Sequence, residues 1–231
     1  MTLSSSQLKD SVGSAISVSM VRYGFVFLKR WLATTASEDI VRHCGRALTF
    51  GKDNPVHRVV PKAEAAQNTY SGIYGLKAFP FHNDMAHWRR PPRYMMLRCV
   101  KGHESVATFL MDGFAIVAHA GEANLVRALV KPRRPLNGVL PLLSLFRRQN
   151  LDDAALIRWD EKFIVPASSA GEEGMRLVRK AFANVTETKI SLSEPGDTLW
   201  IDNWRILHAR GAVAHDQCDR ILERAYFGEL F

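Results

Sequence analysis

A mainly β fold with flanking helices, a double-sheet barrel of jelly-roll type, is predicted from three observations. Segments rich in β-formers outnumber helical patterns, the helical patterns are isolated and individually terminated, and a β segment closes the chain. Taken in order, residues 1–18 are Ser-rich and weakly helical, and Tyr23 to Leu28 reads as the first strand. Thr35 to Leu48 carries a Ser37 N-cap candidate, an early Glu38, apolar residues at helical spacing and Gly51 beyond, so both helix ends are signalled. Arg93–Val100 and Ser105–Met111 read as strands around a polar turn, and Asp112–Leu129 as one helix stopped by Pro132. Residues 131–170 have weak periodicity and read as a long excursion with short strands, a candidate lid over a site. A helix follows over Gly174–Val185. The chain then returns to strands at Ile190–Leu192, at Thr198–Ile201 after the turn Glu194-Pro-Gly-Asp197, and at Arg220–Phe227.

The 231 residues are expected to form a single domain, 1–231, with 131–170 as the insert. A hydrophobic share of 47% with 23% charged residues is ordinary globular composition and excludes disorder, collagen and a disulfide scaffold. No apolar run approaches the roughly 18 residues of a membrane helix, and Met1–Asp10 lacks the basic-then-apolar pattern of a leader. Cys44, Cys99 and Cys218 are odd in number and lie too far apart for a CxxC site, which suits a reducing, cytoplasmic setting. The net charge of +8 has three readings: solvated surface, nucleic-acid binding, or arginines turned inward to hold an acidic small molecule. Neither Arg89-Arg90 with Arg93 nor Lys131 with Arg133-Arg134 sits among stacking aromatics or a nucleic-acid reader motif, so nucleic acid is not the expected partner.

Chemistry is concentrated in three places. In Phe79-Pro-Phe-His82-Asn-Asp84, residues two apart on a strand share a face, so His82 and Asp84 can reach one metal ion. A second imidazole would complete a two-His-one-carboxylate set with open positions, suited to non-haem Fe(II). Its candidate is His208, in Asp202-Asn-Trp-Arg-Ile-Leu-His208-Ala-Arg210. His87 is a local competitor that strand parity disfavours. Then Arg220-Ile-Leu-Glu-Arg224-Ala-Tyr226 puts Arg220, Arg224 and Tyr226 on one strand face. That face is either an exposed edge or a pocket for carboxylates, because a buried arginine requires anionic partners.

His-x-Asp, a distal His and an Arg twelve residues after it resemble the TauD/TfdA-like Fe(II)/2-oxoglutarate oxygenases, most nearly the catalytic domain of γ-butyrobetaine and trimethyllysine hydroxylases. The resemblance runs over Asn68–Gly113 and Gly196–Phe227, about a third of the chain. It implies a double-stranded β-helix of clavaminate synthase-like type, with His82, Asp84 and His208 as iron ligands. It also implies Arg220 as the grip on the distal carboxylate of 2-oxoglutarate, and Thr108 as a hydroxyl near the other end of that co-substrate. Tyr74 and Tyr226 match two positions of a trimethylammonium cage, although barrel packing explains them equally well. Arg224 departs from that pattern: a cation there repels a quaternary ammonium, and its spacing matches the arginine that binds the substrate acid in sulfonate- and aryloxyacetate-oxidising members.

The expected activity is therefore hydroxylation of a small acidic, amino-acid-like or carboxylate metabolite, using Fe(II), 2-oxoglutarate and O2. Asp84, where halogenating relatives need a vacant position, argues against halogenation. Desaturation, ring closure and epimerisation use the same iron site. Two rivals are a hydroxylase of a protein or nucleic-acid partner, which a broad basic groove leading to the iron would favour, and a barrel that binds metal or ligand without turnover.

Overall fold

The structure, a computed structural model, describes residue 16 and residues 18–50, 54–67, 69–148 and 155–230. It is mainly β, and every strand pairing is antiparallel. A six-stranded sheet is ordered β1 (Phe25–Leu28), β13 (Thr198–Asp202), β5 (Tyr94–Lys101), β15 (Ile221–Leu230) and β2 (Gly45–Ala47), and β3 (His57–Val59) also pairs with β15. A four-stranded sheet is ordered β12 (Thr188–Ser191), β6 (Ala107–Asp112), β14 (Ile206–Arg210) and β4 (Phe79–His82). β7 (Leu129–Pro132), β8 (Leu143–Ser144), β9 (Phe146–Arg148), β10 (Ala155–Ile157) and β11 (Ile164–Pro166) build two small satellite sheets.

Both large sheets are covered on two faces, so their strands are nearly continuous apolar runs. One core holds Met95, Leu97, Leu199, Ile201, Leu222 and Tyr226 of the six-stranded sheet with Leu110, Ile190 and Ile206 of the four-stranded one. The alternate residues Met96, Trp200, Ala225 and Phe227 pack outward against Ile40, Val41 and Cys44 of α1 (Ser37–Cys44). On the far face of the four-stranded sheet, Met111 and Leu207 meet α3 (Gly113–Ala120), α4 (Glu122–Arg127) and α5 (Ser169–Phe182). The cluster includes Leu143, Phe146, Ile157, Trp159 and Ile164. The described part of 131–170 is thus largely built into a core, and its exposed apolar residues are Val139, Leu140 and Leu142 at a hairpin tip.

Several element boundaries differ from the sequence reading. Asp112–Leu129 is two helices, because Gly121 at φ 84° takes the left-handed region and turns the chain between them. The helix expected over Thr35–Leu48 stops at Cys44, and Gly45 begins β2 on the edge of β15. Ser37 is not its N-cap: its hydroxyl donates to Glu223, and Ala36 occupies the cap position. Gly51 lies outside the described residues, as do residues 1–15 and 149–154. α5 begins earlier than expected, at Ser169, because Ser168 Oγ accepts from Gly171 N at 3.0 Å, a cap worth about 1 kcal/mol. The turn at Glu194–Asp197 forms with Gly196 at φ 88°. No described helix is long and apolar enough to cross a membrane.

Candidate metal centre

Two of the three candidate ligands are delivered by sheet register. On β14, Ile206, His208 and Arg210 face the other large sheet while Leu207 faces the helices, as a period of two requires. His208 lies directly opposite His82 on β4. Two residues further along β14, Arg210 pairs with Phe79 rather than residue 80. This one-residue bulge lets Phe79 and His82 both line the cavity between the sheets.

Asp84 is placed differently from the strand alternation predicted for it. β4 ends at His82, and the carboxylate is held by a loop that the buried amides of Asn83 and Asn203 lock. Asn83 Nδ2 donates to Asn203 O at 2.7 Å, and its Oδ1 accepts from Trp159 N at 2.9 Å. Asn203 Oδ1 accepts from Asp84 N at 2.8 Å, and its Nδ2 donates to Asp84 O and Pro92 O at 3.0 and 2.9 Å. Every amide hydrogen-bonding direction is used, so the loop has one rigid placement.

The ligand atoms of His82, Asp84 and His208 lie within 4.8 Å of one another, and all three residues are buried. His82 Nε2 and His208 Nε2 approach Asp84 Oδ1 at 3.4 and 3.7 Å. His82 Nδ1 lies 2.9 Å from Pro80 O; a carbonyl only accepts, so Nδ1 carries the proton and Nε2 offers its lone pair inward. The other carboxylate oxygen, Asp84 Oδ2, accepts from Tyr226 Oη at 2.6 Å and Arg224 Nη1 at 3.2 Å. Burial pushes the Asp84 carboxyl upward, but Arg224 and the two imidazoles outweigh it and hold it well below the usual range. Burial pushes His82 down and the adjacent Asp84 pushes it further up, for a net rise. Burial and the neighbouring His82 hold His208 below its ordinary value. The donor set fits a divalent first-row metal: two neutral imidazoles and one ionised carboxylate, with Oδ1 turned toward the imidazoles.

Two further arginines face this cavity of about 110 Å³. Arg220 is buried, its Nε and Nη2 make no hydrogen bond, and no carboxylate pairs with it among the described residues. Arg210 donates to Gly75 O and Lys77 O at 3.0 and 2.7 Å and lies 3.8 Å from the Phe79 ring centroid. Burial and then the charge of Arg220 hold its pKa down to about 10. Two mutually repelling, desolvated guanidiniums make the cavity a site for an anion. Thr108 lines the same cavity, opposite Arg210 across β6 and β14.

The predicted residues His82, Asp84, His208, Thr108, Arg220 and Arg224 all line this one cavity. The aromatic pair is not brought together. Tyr226 spends its hydroxyl on Asp84, whereas Tyr74 stacks on Tyr70 at 5.9 Å outside the cavity lining. Tyr70 stands beside the candidate ligands instead, its ring stacked 4.3 Å from that of His82. His87 lies outside the ligand cluster. Sequence reasoning missed the roles of Asn83, Asn203, Tyr70 and Arg210. The two asparagines were visible as direct neighbours of the ligand motifs, but nothing in one sequence says that each amide bonds the backbone of the other's segment.

No family model matches the chain. It is 25% identical over 210 residues to the L-lysine 3-hydroxylase of Catenulispora acidiphila, an alignment covering 81% of this chain and 56% of that protein. The chain thus spans about half the length of that curated relative. Among solved structures, the fold resembles asparagine oxygenase bound to Fe(II), (2S,3S)-3-hydroxyasparagine and succinate, with TM-score 0.69, 17% identity and coverage of 96% of this chain and 79% of that one. PvcB from Pseudomonas aeruginosa gives TM-score 0.67 at 18% identity, covering 97% and 80%. A taurine dioxygenase from Burkholderia xenovorans gives 0.65 at 15% identity, covering 98% and 83%.

Proposed function

We propose that the chain is an Fe(II)- and 2-oxoglutarate-dependent oxygenase that hydroxylates a C–H bond of a small amino-acid-like metabolite bearing an acidic group. The observation that carries this reading is the buried His82–Asp84–His208 cluster sharing one cavity with the unpaired, buried Arg220. The two large sheets are read as the facing halves of a double-stranded β-helix, with the cavity between them.

His82 and His208 through Nε2, and Asp84 through Oδ1, would hold the iron. When bound, iron with 2-oxoglutarate and O2 supplies the oxidation of an unactivated C–H bond, yielding succinate and CO2. Arg220 anchors the distal carboxylate of the co-substrate in bidentate fashion, with Arg210 adding field and Thr108 a hydroxyl donor. Tyr226 and Arg224 hold the second oxygen of Asp84, which keeps Oδ1 aimed at the imidazoles. Arg224 lines the cavity with its side chain about one-third exposed, so its remaining nitrogens are available to the substrate's acid group. Oxidation of amino acids by the lysine 3-hydroxylase and asparagine oxygenase relatives supports this substrate class. The cavity's apolar wall of Val59, Met95, Leu97 and Leu222 excludes water around these charges.

The test is succinate release with Fe(II), 2-oxoglutarate and a panel of L-amino acids and their acidic derivatives, against a His82→Ala control. Substrate-dependent succinate lost in the control is the expected result, and equal turnover in both proteins would overturn the assignment.

A further inference from the structure

The basic segment Lys131–Arg134 does not enter the iron cavity. It forms one side of a second hollow of about 360 Å³, lined by His87, Arg133, Arg134, Lys162 and Phe163 among others. The two spaces share a wall. Tyr70 stacks on His82 at 4.3 Å and meets Phe163 edge-on at 5.2 Å, and Phe163 in turn lies 5.7 Å from His87. The groove is therefore two aromatic rings from the candidate iron ligands.

Its charge is uncompensated. Arg133 reaches only the carbonyl of Glu161, at 3.4 Å, and Lys162 Nζ lies 5.6 Å over the Tyr74 ring. The Glu161 carboxylate is taken by Arg179, and Asp160 is buried with Oδ1 accepting from Lys162 N and Phe163 N. Among the described residues no carboxylate pairs with Arg133, Arg134 or Lys162. His87 Nδ1 is buried without a partner. The cations are also held in place: Arg133 N donates to Phe163 O at 2.9 Å, and Pro132 pairs with Ile164 across β7 and β11. A solvated basic face would need neither the concavity nor the buried orphan nitrogen. Two forked guanidiniums and one ammonium around a hollow suit a phosphate or a carboxylate.

We propose that this groove is an oxyanion site beside the iron cavity, across the Tyr70–Phe163 wall, taking a phosphate or carboxylate carried on the end of the substrate remote from the oxidised carbon. The proposal rests on the oxygenase reading above for its link to a substrate, while the anion site itself is testable alone.

The experiment titrates the full chain, saturated with 2-oxoglutarate, with methyl phosphate and separately with acetate. Affinity is read by calorimetry, and the site by the imidazole C–H resonances of His87 against those of His103, which is paired with Asp219 elsewhere. In wild type, at least one probe is expected to bind and shift His87 without shifting His103. Tighter methyl phosphate assigns the site to a phosphate, and equal or tighter acetate to a carboxylate. Arg133→Ala/Arg134→Ala should weaken that probe about ten-fold or more and leave 2-oxoglutarate binding unchanged. Arg176→Ala, at an exposed position of α5, should change neither. Unaltered probe affinity in the double variant, or probe displacement by 2-oxoglutarate, would overturn the groove as an anion site. Failure of 2-oxoglutarate to bind wild type would instead strike the oxygenase reading and leave the probe titration readable.

Discussion

His82 and His208 are direct cross-strand partners on β4 and β14, with ring centroids 4.5 Å apart. Opposed residues on neighbouring strands share a face, so two of the three candidate metal ligands are juxtaposed by backbone pairing alone. A one-residue slip of either strand would turn one imidazole away from the cavity. The bulge beside this pair and the asparagine lock behind Asp84 prevent such a slip.

Iron affinity should follow one proton. Asp84 stays ionised because Arg224 and the imidazoles hold its carboxyl low, and His208 is held neutral by burial and by His82. Of the two imidazoles only His82 is raised above its ordinary value, so its second proton is the one that persists to higher pH and that metal binding must displace. Apparent Fe(II) affinity should therefore rise by about ten-fold per pH unit below the His82 pKa and flatten above it. Anaerobic Fe(II) titration across pH 5.5 to 8.5 measures this. A slope of two protons would mean that His208 is also protonated, and His82→Ala should abolish the dependence along with tight binding.

Tyr226→Phe tests whether the tyrosine acts through Asp84. The ring, packed edge-on to Phe50 at 5.4 Å, is retained while the 2.6 Å hydrogen bond to Oδ2 is lost. Removing the outer partner of a metal-ligating carboxylate weakens metal binding by about 10–100-fold. Fe(II) affinity should fall in that range with the melting temperature nearly unchanged. Unaltered affinity would return Tyr226 to a packing role.

Part of this was legible because period-two alternation is written directly into a strand. Arg224 and Tyr226 could be placed on one face of the last strand from the sequence, and His208 could be singled out as the distal second imidazole. What was not legible depends on pairing between distant segments. The bulge at Phe79–His82 is fixed by β14, so the cavity role of Phe79 has no local signature. Asp84 reached its place through Asn203, far away in sequence, rather than through the strand parity that predicted the same outcome for the wrong reason. Tyr70 and Tyr74 look alike in sequence, one helical turn apart. Only the packing of α2 (Tyr70–Tyr74) against β4 decides which ring meets His82.

Asn203→Ala should destabilise the fold as well as the site. It leaves Asp84 N without an acceptor and the Asp84 and Pro92 carbonyls without donors, all in a buried setting. With each unmet buried group contributing roughly 1–3 kcal/mol before relaxation, the expected loss is about 2–4 kcal/mol in urea unfolding. Asn203→Asp is the sharper variant. It keeps an acceptor for Asp84 N but faces two carbonyls with a carboxylate, so it should be no more stable than the alanine variant. A near-neutral Asp variant would show that only the Asp84 N–H bond matters.

Arg220→Met should separate stability from binding in opposite directions. Without an anion, wild type holds a buried guanidinium whose Nε and Nη2 are unsatisfied and whose pKa burial pushes down. Replacing that cation with an apolar side chain of similar length should stabilise the ligand-free protein by about 1 kcal/mol or more, a rise in melting temperature of roughly 2–4 °C per kcal/mol. Adding 2-oxoglutarate at about 100 times its Kd should stabilise wild type by roughly 2.7 kcal/mol through mass action and leave the variant unmoved. The two melting curves should therefore exchange order as co-substrate is added. A variant that loses stability without ligand would mean that Arg220 has a structural partner, and one still stabilised by 2-oxoglutarate would move the carboxylate anchor to Arg210.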